Sequence, residues 1–263
     1  MTPAPPVTPT RIAVAGALGR MGEAVLRLAR ERHDVVVAGA YDRAELAGRG
    51  DLCTREEALA AADVVIDFTA PEASAALADA AAARGGPALV IGSTGFNQRQ
   101  LGGIEAAARR VPVVRSGNFS IGVNVLLGLV EQASRRLSAR EWDVEILEAH
   151  HRRKVDAPSG TALMLGEAAA RARGVDLGAV SERGRDGLTG ARGEGAIGFA
   201  SLRGGGLVGE HAVLFASELE TLTLQHSARD RSLFARGALD AAAWAARRRP
   251  GLYDMQDVLG FRG

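Results

Sequence analysis

The sequence predicts an α/β protein that combines a Rossmann-like, doubly wound parallel sheet with a second, α+β domain. Short runs of apolar, β-branched residues recur through the first half, and Ala-rich segments with helical spacing separate them. The first run, residues 11–15, stops at a glycine cluster that opens a helical pattern. Beyond residue 118 the runs instead alternate apolar and polar residues, as strands with one solvated face do.

In the first half the apolar runs are nearly continuous, which is typical of strands buried on both faces of a parallel sheet. Their regular alternation with helices and short connections predicts the doubly wound arrangement. The predicted strands are residues 11–15, 34–41, 62–68, 88–92 and 111–115, and the predicted helices are residues 21–32, 55–61, 71–84 and 97–110.

The second half follows a different order, in which a Gly- and Arg-rich stretch interrupts the elements. Three late alternating runs are predicted to form an antiparallel meander. The predicted order is a helix at 121–137, a strand at 142–149, a helix at 160–173, the Gly- and Arg-rich stretch at 174–195, and meander strands at 196–203, 207–216 and 220–227. A helix at 231–249 and a tail at 252–259 are expected to return to the first domain.

We therefore expect two domains after a short lead-in. Residues 1–10 hold four of the nine prolines and predict a disordered lead-in without the features of a secretory signal. The first domain is expected to comprise residues 11–118 with 230–263, and the second residues 119–229.

Composition excludes several classes of function. A formal net charge of +1 over 263 residues gives no surplus that would favour nucleic acid or a membrane surface. The longest uncharged stretch near the middle is too short and too polar to span a bilayer. Cys53 is the only cysteine, so no internal disulfide and no zinc-binding spacing is present, and we expect no metal and a cytoplasmic location.

A glycine-rich segment between the first strand and the first helix is the candidate diphosphate site. Glycines recur there every third residue, where free backbone N–H groups meet the N-terminus of a helix. Leu18 stands where the usual dinucleotide motif has its second glycine, so a plain strand-to-helix turn is the alternative. The candidate residues are Gly16, Ala17, Leu18, Gly19, Arg20 and Met21.

Two charged residues end the second predicted strand. Asp42 follows Gly22 by 20 residues, the spacing at which an acid bonds the ribose hydroxyls of NAD. The adjacent Arg43 can hold the additional phosphate of NADP. A surface ion pair is the alternative, and the choice between NADH and NADPH stays open.

Further loops follow other predicted strands and are expected at the same edge of the sheet, because ligands of such sheets bind at the carboxyl ends. The loop 68–70 follows the third strand, and two more loops supply candidate cofactor contacts. Those contacts are Gly92, Ser93 and Thr94 after the fourth strand, and Ser116, Gly117, Asn118 and Phe119 after the fifth.

A segment of the second domain concentrates side chains that can donate or accept a proton. It carries His150, His151 and Lys154, the only lysine beside 31 arginines. Arginine remains protonated at working pH, whereas a lysine ammonium can give up a proton, so a retained lysine indicates a role in proton transfer. Exposed polar residues in a loop are the alternative. A hydride acceptor also needs a proton, and Lys154 and His150 are the candidate donors.

The same segment continues into a predicted helix start, Pro158-Ser159-Gly160-Thr161. Backbone N–H groups and hydroxyls at a helix N-terminus bind anions. Together with the cations just before it, this start predicts a pocket for a small anion, most simply a carboxylate.

Taken in order, these motifs resemble the bacterial 4-hydroxy-tetrahydrodipicolinate reductase family, also called dihydrodipicolinate reductases, of lysine and diaminopimelate biosynthesis. The resemblance runs from about Arg11 to the C-terminus. Its most specific element is EAHHRRKVDAPSGTA at residues 148–162, supported by GALGRMG, DFT, GSTGF, NFSIGVN and VGEH.

The resemblance implies a reductase that transfers hydride from NADH or NADPH to a cyclic dicarboxylate. It implies a dinucleotide-binding first domain and a second domain that binds substrate and builds a homotetramer. His150 would be the proton donor or acceptor, Lys154 the proton donor, and His151, Gly160 and Thr161 would hold a substrate carboxylate. The cofactor would lie on the glycine segment, on Asp42 and Arg43, and on the two later loops.

Two other functions remain open at this point. A dehydrogenase of acyclic amino or keto acids on the same plan would predict turnover of acyclic substrates without a need for both His150 and Lys154. A nucleotide-sensing protein would bind NAD without catalysis, and the proton-donor segment argues against it.

Overall fold

The computed structural model describes residues 8–262, which form two compact units. One unit holds the described residues up to Ile121 together with those from Ser232 onward, and the other is Gly122–Arg231. Of the predicted lead-in, residues 1–7 lie outside the described range. Thr10 corrects that prediction, because it pairs with Val35 as the first residue of a strand and is buried.

The strands of the described residues, in chain order, are β1 (Thr10–Ala15), β2 (Val35–Tyr41), β3 (Val64–Asp67), β4 (Ala88–Ile91), β5 (Pro112–Arg115), β6 (Asp143–His150), β7 (Ser181–Arg183), β8 (Ile197–Arg203), β9 (Gly209–Ala216), β10 (Thr221–Ala228) and β11 (Gly251–Tyr253). The helices are α1 (Arg20–Ala29), α2 (Arg55–Ala61), α3 (Pro71–Arg84), α4 (Gln98–Ala108), α5 (Ile121–Arg136), α6 (Gly160–Ala172), α7 (Leu177–Val180), α8 (Ser232–Ala245) and α9 (Met255–Val258). None of these helices is both long and apolar enough to cross a membrane.

The first unit is built on a six-stranded parallel sheet in the order β11-β5-β4-β3-β1-β2. The chain places β2 on one side of β1 and the later strands on the other, so the direction of winding reverses at β1. This arrangement confirms the predicted doubly wound sheet and leaves the carboxyl ends of β1 to β5 along one edge. The C-terminal tail contributes β11, which pairs with β5.

Both faces of this sheet are buried, as its continuous apolar runs predict. Ile12 and Ile66 belong to the core on the face covered by α1 and α8, while Leu89 and Ile91 belong to the core on the face covered by α2, α3 and α4. All four side chains are 0 % exposed, and burial of each contributes about 1.5–3 kcal/mol. A sheet held this rigidly fixes where its strand-end loops begin.

The second unit has a five-stranded sheet in the order β10-β9-β6-β8-β7. The predicted meander of the three late runs is wrong, because β6 lies between β8 and β9. β9 pairs antiparallel with β6 and β10, whereas β8 is parallel to β6. The Gly- and Arg-rich stretch, predicted as a separator, contains α7 and β7, and β7 extends the sheet beside β8.

One face of the second sheet packs on α5 and α6. Val144 and Ile146 of β6 join Val130 of α5 and Leu165 of α6 in a single buried core. The strict alternation along β6 aims Glu148 and His150 to this same side and Leu147 to the other. The end of β6 thereby delivers polar side chains to the start of α6.

Candidate active site

The glycine segment between β1 and α1 is closed too tightly for any side chain at two positions. Gly16 has φ +68°, and a Cβ on Gly22 would lie 2.2 Å from the Gly16 carbonyl oxygen. The helix cap Gly19 offers no side-chain cap to α1, whereas Thr54 and Asn97 cap α2 and α4 with full capping boxes. The first-turn N–H groups of α1 therefore lack the side-chain acceptor that α2 and α4 have, as a diphosphate site requires.

Asp42 lies at the end of β2 beside this segment. Its Oδ2 accepts a hydrogen bond from the Leu18 N–H at 3.0 Å, and its Oδ1 accepts one from the Arg43 N–H at 2.9 Å. The Arg43 guanidinium is 74 % exposed, with Nε 3.6 Å from a carboxylate oxygen of Glu45. A cavity of about 540 Å³ opens between Asp42 and Thr69. An acid, an exposed cation and this cavity fit a nucleotide ribose.

Strand β3 ends on a buried carboxylate whose role is not evident from the sequence. Asp67 is 0 % exposed, and its Oδ1 accepts hydrogen bonds from the Thr69 N–H at 2.8 Å and the Thr69 Oγ1 at 2.5 Å. Burial raises the pKa of Asp67. These bonds direct the Thr69 methyl toward Gly16, where a Cβ would approach it to 2.8 Å. Asp67 thus stabilises the loop residue Thr69, which packs against the glycine segment. The DFT motif is the only sequence feature that points to this role of Asp67.

The loops after β4 and β5 join the same row of strand ends. A Cβ on Gly92 would lie 2.1 Å from the Phe68 ring, and Phe68 packs edge-on against Phe119 with centroids 5.6 Å apart. Ser93 and Phe119 are buried, so their side chains pack inside the protein and support the loops. Thr94 and Gly117, in contrast, are exposed.

Two further predicted residues order the loop after β5. Ser116 Oγ donates to the Asn118 carbonyl oxygen at 2.7 Å, which closes this loop.

In the second unit, Glu148 holds His150. His150 Nδ1 lies 2.6 Å from Glu148 Oε2, and the Arg203 guanidinium donates to both carboxylate oxygens at 2.8 and 2.7 Å. The Ser159 N–H donates to Glu148 Oε1 at 3.1 Å. Burial alone would raise the pKa of Glu148, but the hydrogen bonds from Arg203 and His150 outweigh it and hold this pKa at about 2. Glu148 is therefore a buried anion at neutral pH.

His211 joins this cluster, although its role was not predicted. The β6–β9 register places it opposite Glu148, its ring packs edge-on against His150 with centroids 5.1 Å apart, and its Nε2 lies 3.2 Å from Ser159 Oγ. Burial and the neighbouring His150 lower the pKa of His211 to about 4. The VGEH motif was the only sequence signal, and alternation alone does not reveal a cross-strand partner.

The loop after β6 carries the other predicted catalytic residue. Lys154 Nζ donates to both carboxylate oxygens of Asp156, at 2.7 and 2.8 Å. The Lys154 N–H donates to the His151 carbonyl oxygen at 3.0 Å, which closes a tight turn. His151 Nε2 lies 3.2 Å from a guanidinium nitrogen of Arg231, and burial and the nearby Arg153 lower its pKa.

The start of α6 forms as predicted. Ser159 is its N-cap, and the Ser159 Oγ accepts a hydrogen bond from the Ala162 N–H at 3.1 Å. Gly160 is exposed and has open space where a Cβ would be, and Thr161 is half-buried beside it. A helix N-terminus with an exposed first turn suits a carboxylate ligand.

The fold and these two sets of residues define a nicotinamide-nucleotide-dependent oxidoreductase with a Rossmann-like first unit. Residues 10–119 match the family model described as dihydrodipicolinate reductase, N-terminus, and residues 122–259 match its C-terminal counterpart. The chain belongs to the dihydrodipicolinate reductase family.

Relatives of the chain agree with this assignment. It is 63 % identical to the 4-hydroxy-tetrahydrodipicolinate reductase of Caulobacter vibrioides over 97 % of this chain and 98 % of that protein. It is 51 % identical to the enzyme of the same name from Rhizobium rhizogenes over 95 % and 96 %. The dipicolinate-bound dihydrodipicolinate reductase of Paenisporosarcina sp. TG-14 shares the fold, with a TM-score of 0.76 at 24 % identity over 94 % of this chain and 98 % of that one.

Proposed function

We propose that this protein reduces 4-hydroxy-tetrahydrodipicolinate to tetrahydrodipicolinate with NADH or NADPH, in lysine and diaminopimelate biosynthesis. The observation that carries the proposal is the cluster at the end of β6, in which buried Glu148 holds His150 and the following loop presents Lys154 just before the start of α6. Close relatives that bear this name across their full length support it.

The first unit binds the nucleotide in this proposal. The residues fit a dinucleotide, because Gly16 and Gly22 admit no side chain and α1 has an uncapped first turn. The glycine segment 16–21 holds the diphosphate, Asp42 accepts from the ribose hydroxyls, and Arg43 contacts the additional phosphate of NADPH. The bound nicotinamide supplies a hydride. The loops at 92–94 and 116–119 hold the nicotinamide half.

The second unit supplies protons and holds the substrate. In the net reaction a hydride replaces the 4-hydroxyl group of the ring, and the departing hydroxyl takes up one proton and leaves as water. The Lys154 ammonium donates a proton, and His150 gives or takes one through its ring nitrogen. His151, Gly160 and Thr161 hold a substrate carboxylate, which a helix N-terminus and neighbouring cations favour.

We further propose that the enzyme is a cytoplasmic homotetramer assembled through the second sheet. Leu147 is 42 % exposed and Leu202 is 63 % exposed, and their register places both on the face opposite the core. A sheet face with exposed apolar side chains is typical of an interface. The single cysteine favours a reducing compartment. Native mass spectrometry tests the assembly, and a monomer would overturn that part.

The activity is tested by initial rates of NADH and NADPH oxidation with freshly prepared 4-hydroxy-tetrahydrodipicolinate. We expect turnover with the cyclic dicarboxylate and none with acyclic amino or keto acids. A preference for an acyclic substrate would point instead to a different dehydrogenase on the same fold.

A further inference from the structure

The side chains of Glu148 and His150 form a pair that the proposed function does not by itself assign. They lie two residues apart on β6 and therefore point to the same side of the strand. The contact joins Glu148 Oε2 to His150 Nδ1 at 2.6 Å, short enough for a charge-assisted hydrogen bond. Glu148 is 2 % exposed, so water does not compete for its carboxylate.

The charge of Glu148 determines which atom donates in this pair. Arg203 donates to both carboxylate oxygens, and these bonds keep Glu148 ionised. An ionised carboxylate can only accept hydrogen bonds. His150 must therefore carry a proton on Nδ1, which leaves Nε2 as the nitrogen that binds or releases the second proton.

The surroundings of the ring hold Nε2 in one place. A Cβ on Gly209 would lie 3.2 Å from His150 Nε2, so this glycine leaves the space that the nitrogen occupies. The ring of His211 packs edge-on against the His150 ring, with centroids 5.1 Å apart. The ionisable groups that interact with His150 or with its carboxylate partner are Arg203, His211 and His151, and Lys154 acts in turn on His151 and His211.

We infer that Glu148 is a positioning residue that fixes His150 as its Nδ1–H tautomer and reserves Nε2 for proton exchange with the substrate. Arg203 supports this pair in a second way. Its guanidinium also donates to the Asp156 carbonyl oxygen at 2.7 Å and so joins Glu148 to the loop that bears Lys154. The inference rests on the proposed function for the role of Nε2, but the tautomer itself does not depend on turnover.

A purely structural role for Glu148 makes a different prediction. Its Oε1 accepts from the Ser159 N–H, so Glu148 also anchors the start of α6. If anchoring were its whole role, Glu148→Gln would lower the melting temperature or raise KM but leave the His150 tautomer unchanged. The tautomer and the split between kcat and KM therefore distinguish the two roles.

The first measurement is nitrogen-15 NMR of the histidine rings of the wild-type protein, with His150 assigned by the signals missing in His150→Gln. We expect neutral His150 to carry its proton on Nδ1, and a proton on Nε2 instead would overturn the inference. This readout needs no substrate, so it decides the tautomer even if the wild-type protein fails to reduce the cyclic dicarboxylate, an outcome that would contradict only the proposed function.

The second measurement compares Glu148→Gln with Glu131→Gln, which removes a carboxylate of α5 that is ion-paired with Arg135 and Arg171. We expect Glu148→Gln to mix the two His150 tautomers and to lower kcat about 100-fold, with KM within about threefold, since a wrong tautomer costs orders of magnitude in comparable sites. Glu131→Gln should keep kcat within about twofold. A folded Glu148→Gln protein with the kcat of the wild type would overturn the inference.

Discussion

Lys154 and Asp156 form a bidentate ion pair, with Nζ 2.7 and 2.8 Å from the two carboxylate oxygens. The Lys154 side chain is 20 % exposed, and its hydrogen bonds to Asp156 lower the pKa of that carboxyl group. The only lysine of the chain is thus held at a fixed place in the loop, beside a carboxylate that stays ionised well below neutral pH.

Lys154→Arg keeps the positive charge of this residue but removes its ability to donate a proton. A guanidinium can keep the bidentate contact with Asp156, so the loop should hold its shape, but it does not release a proton at working pH. We expect kcat to fall about 100-fold or more while the melting temperature stays within a few degrees. Steady-state kinetics and a thermal melt measure both, with the exposed Arg140→Lys as a control, and normal turnover of Lys154→Arg would show that the lysine is not the proton donor.

Gly22→Ala tests the close approach of α1 to the glycine segment. The new Cβ would lie 2.2 Å from the Gly16 carbonyl oxygen and 2.8 Å from the Ala17 Cα, both backbone atoms. Alanine normally favours a helix over glycine by about 1 kcal/mol, but a clash of this kind costs about 1–3 kcal/mol. We expect a lower free energy of unfolding and weaker NADH binding by calorimetry.

Gly102→Ala is the matched control for that variant. Gly102 lies inside α4, and a Cβ there meets nothing within 4 Å, so this protein should be slightly more stable than the wild type. Equal effects of the two substitutions would mean that the glycine segment is not constrained as described.

Arg43→Ala tests how the site accepts the additional phosphate of NADPH. The present contact of Arg43 with Glu45 is long and exposed, and such pairs contribute little, so the guanidinium is free to turn to a phosphate. A hydrogen bond to a charged group contributes about 1.5–3 kcal/mol, so kcat/KM for NADPH should fall about tenfold or more while that for NADH stays within about twofold. Paired kinetics check this, with the exposed Arg49→Ala as a control, and equal losses for both nucleotides would contradict it.

His211 predicts a dependence of stability on pH. Its pKa is lowered to about 4 in the folded protein from the ordinary value of 6.5, so between these values the unfolded chain binds a proton that the folded chain does not. Stability should therefore fall as pH falls from 6.5 to 4, by roughly 3 kcal/mol from this residue, and this loss should level off below pH 4.

Chemical denaturation at several pH values measures this loss. His211→Gln should show a slope shallower by about one proton in this window, compared with a His33→Gln control at an exposed position. An unchanged slope in His211→Gln would mean that His211 is protonated in the folded protein.

Much of the first unit could be predicted because its signals are local. Continuous apolar runs identified β1 to β5, and a glycine segment after β1 identified the start of α1. The side chains at Ser93 and Phe119 were predicted as cofactor contacts, and their burial confines any contact largely to backbone atoms. Local pattern predicts where a loop lies but not which way each of its side chains points.

In the second unit, local sequence patterns do not predict which strands pair with each other. Alternation predicted that β8 and β9 are strands, but their partners depend on long-range register, and β6 separates them. The same register brings His211 opposite Glu148 and lets Arg203 reach that carboxylate. These contacts join residues about fifty or more positions apart, so no spacing in the sequence predicts them.

The central claim is that this chain transfers hydride from a nicotinamide nucleotide to a cyclic dicarboxylate. It is tested most directly with nucleotide that carries two deuterium atoms at C4 of the nicotinamide, by mass spectrometry of the product formed from fresh 4-hydroxy-tetrahydrodipicolinate. We predict one carbon-bound deuterium in tetrahydrodipicolinate for each nucleotide oxidised. Absence of nucleotide oxidation with both NADH and NADPH, or oxidation without deuterium in the product, would contradict the claim.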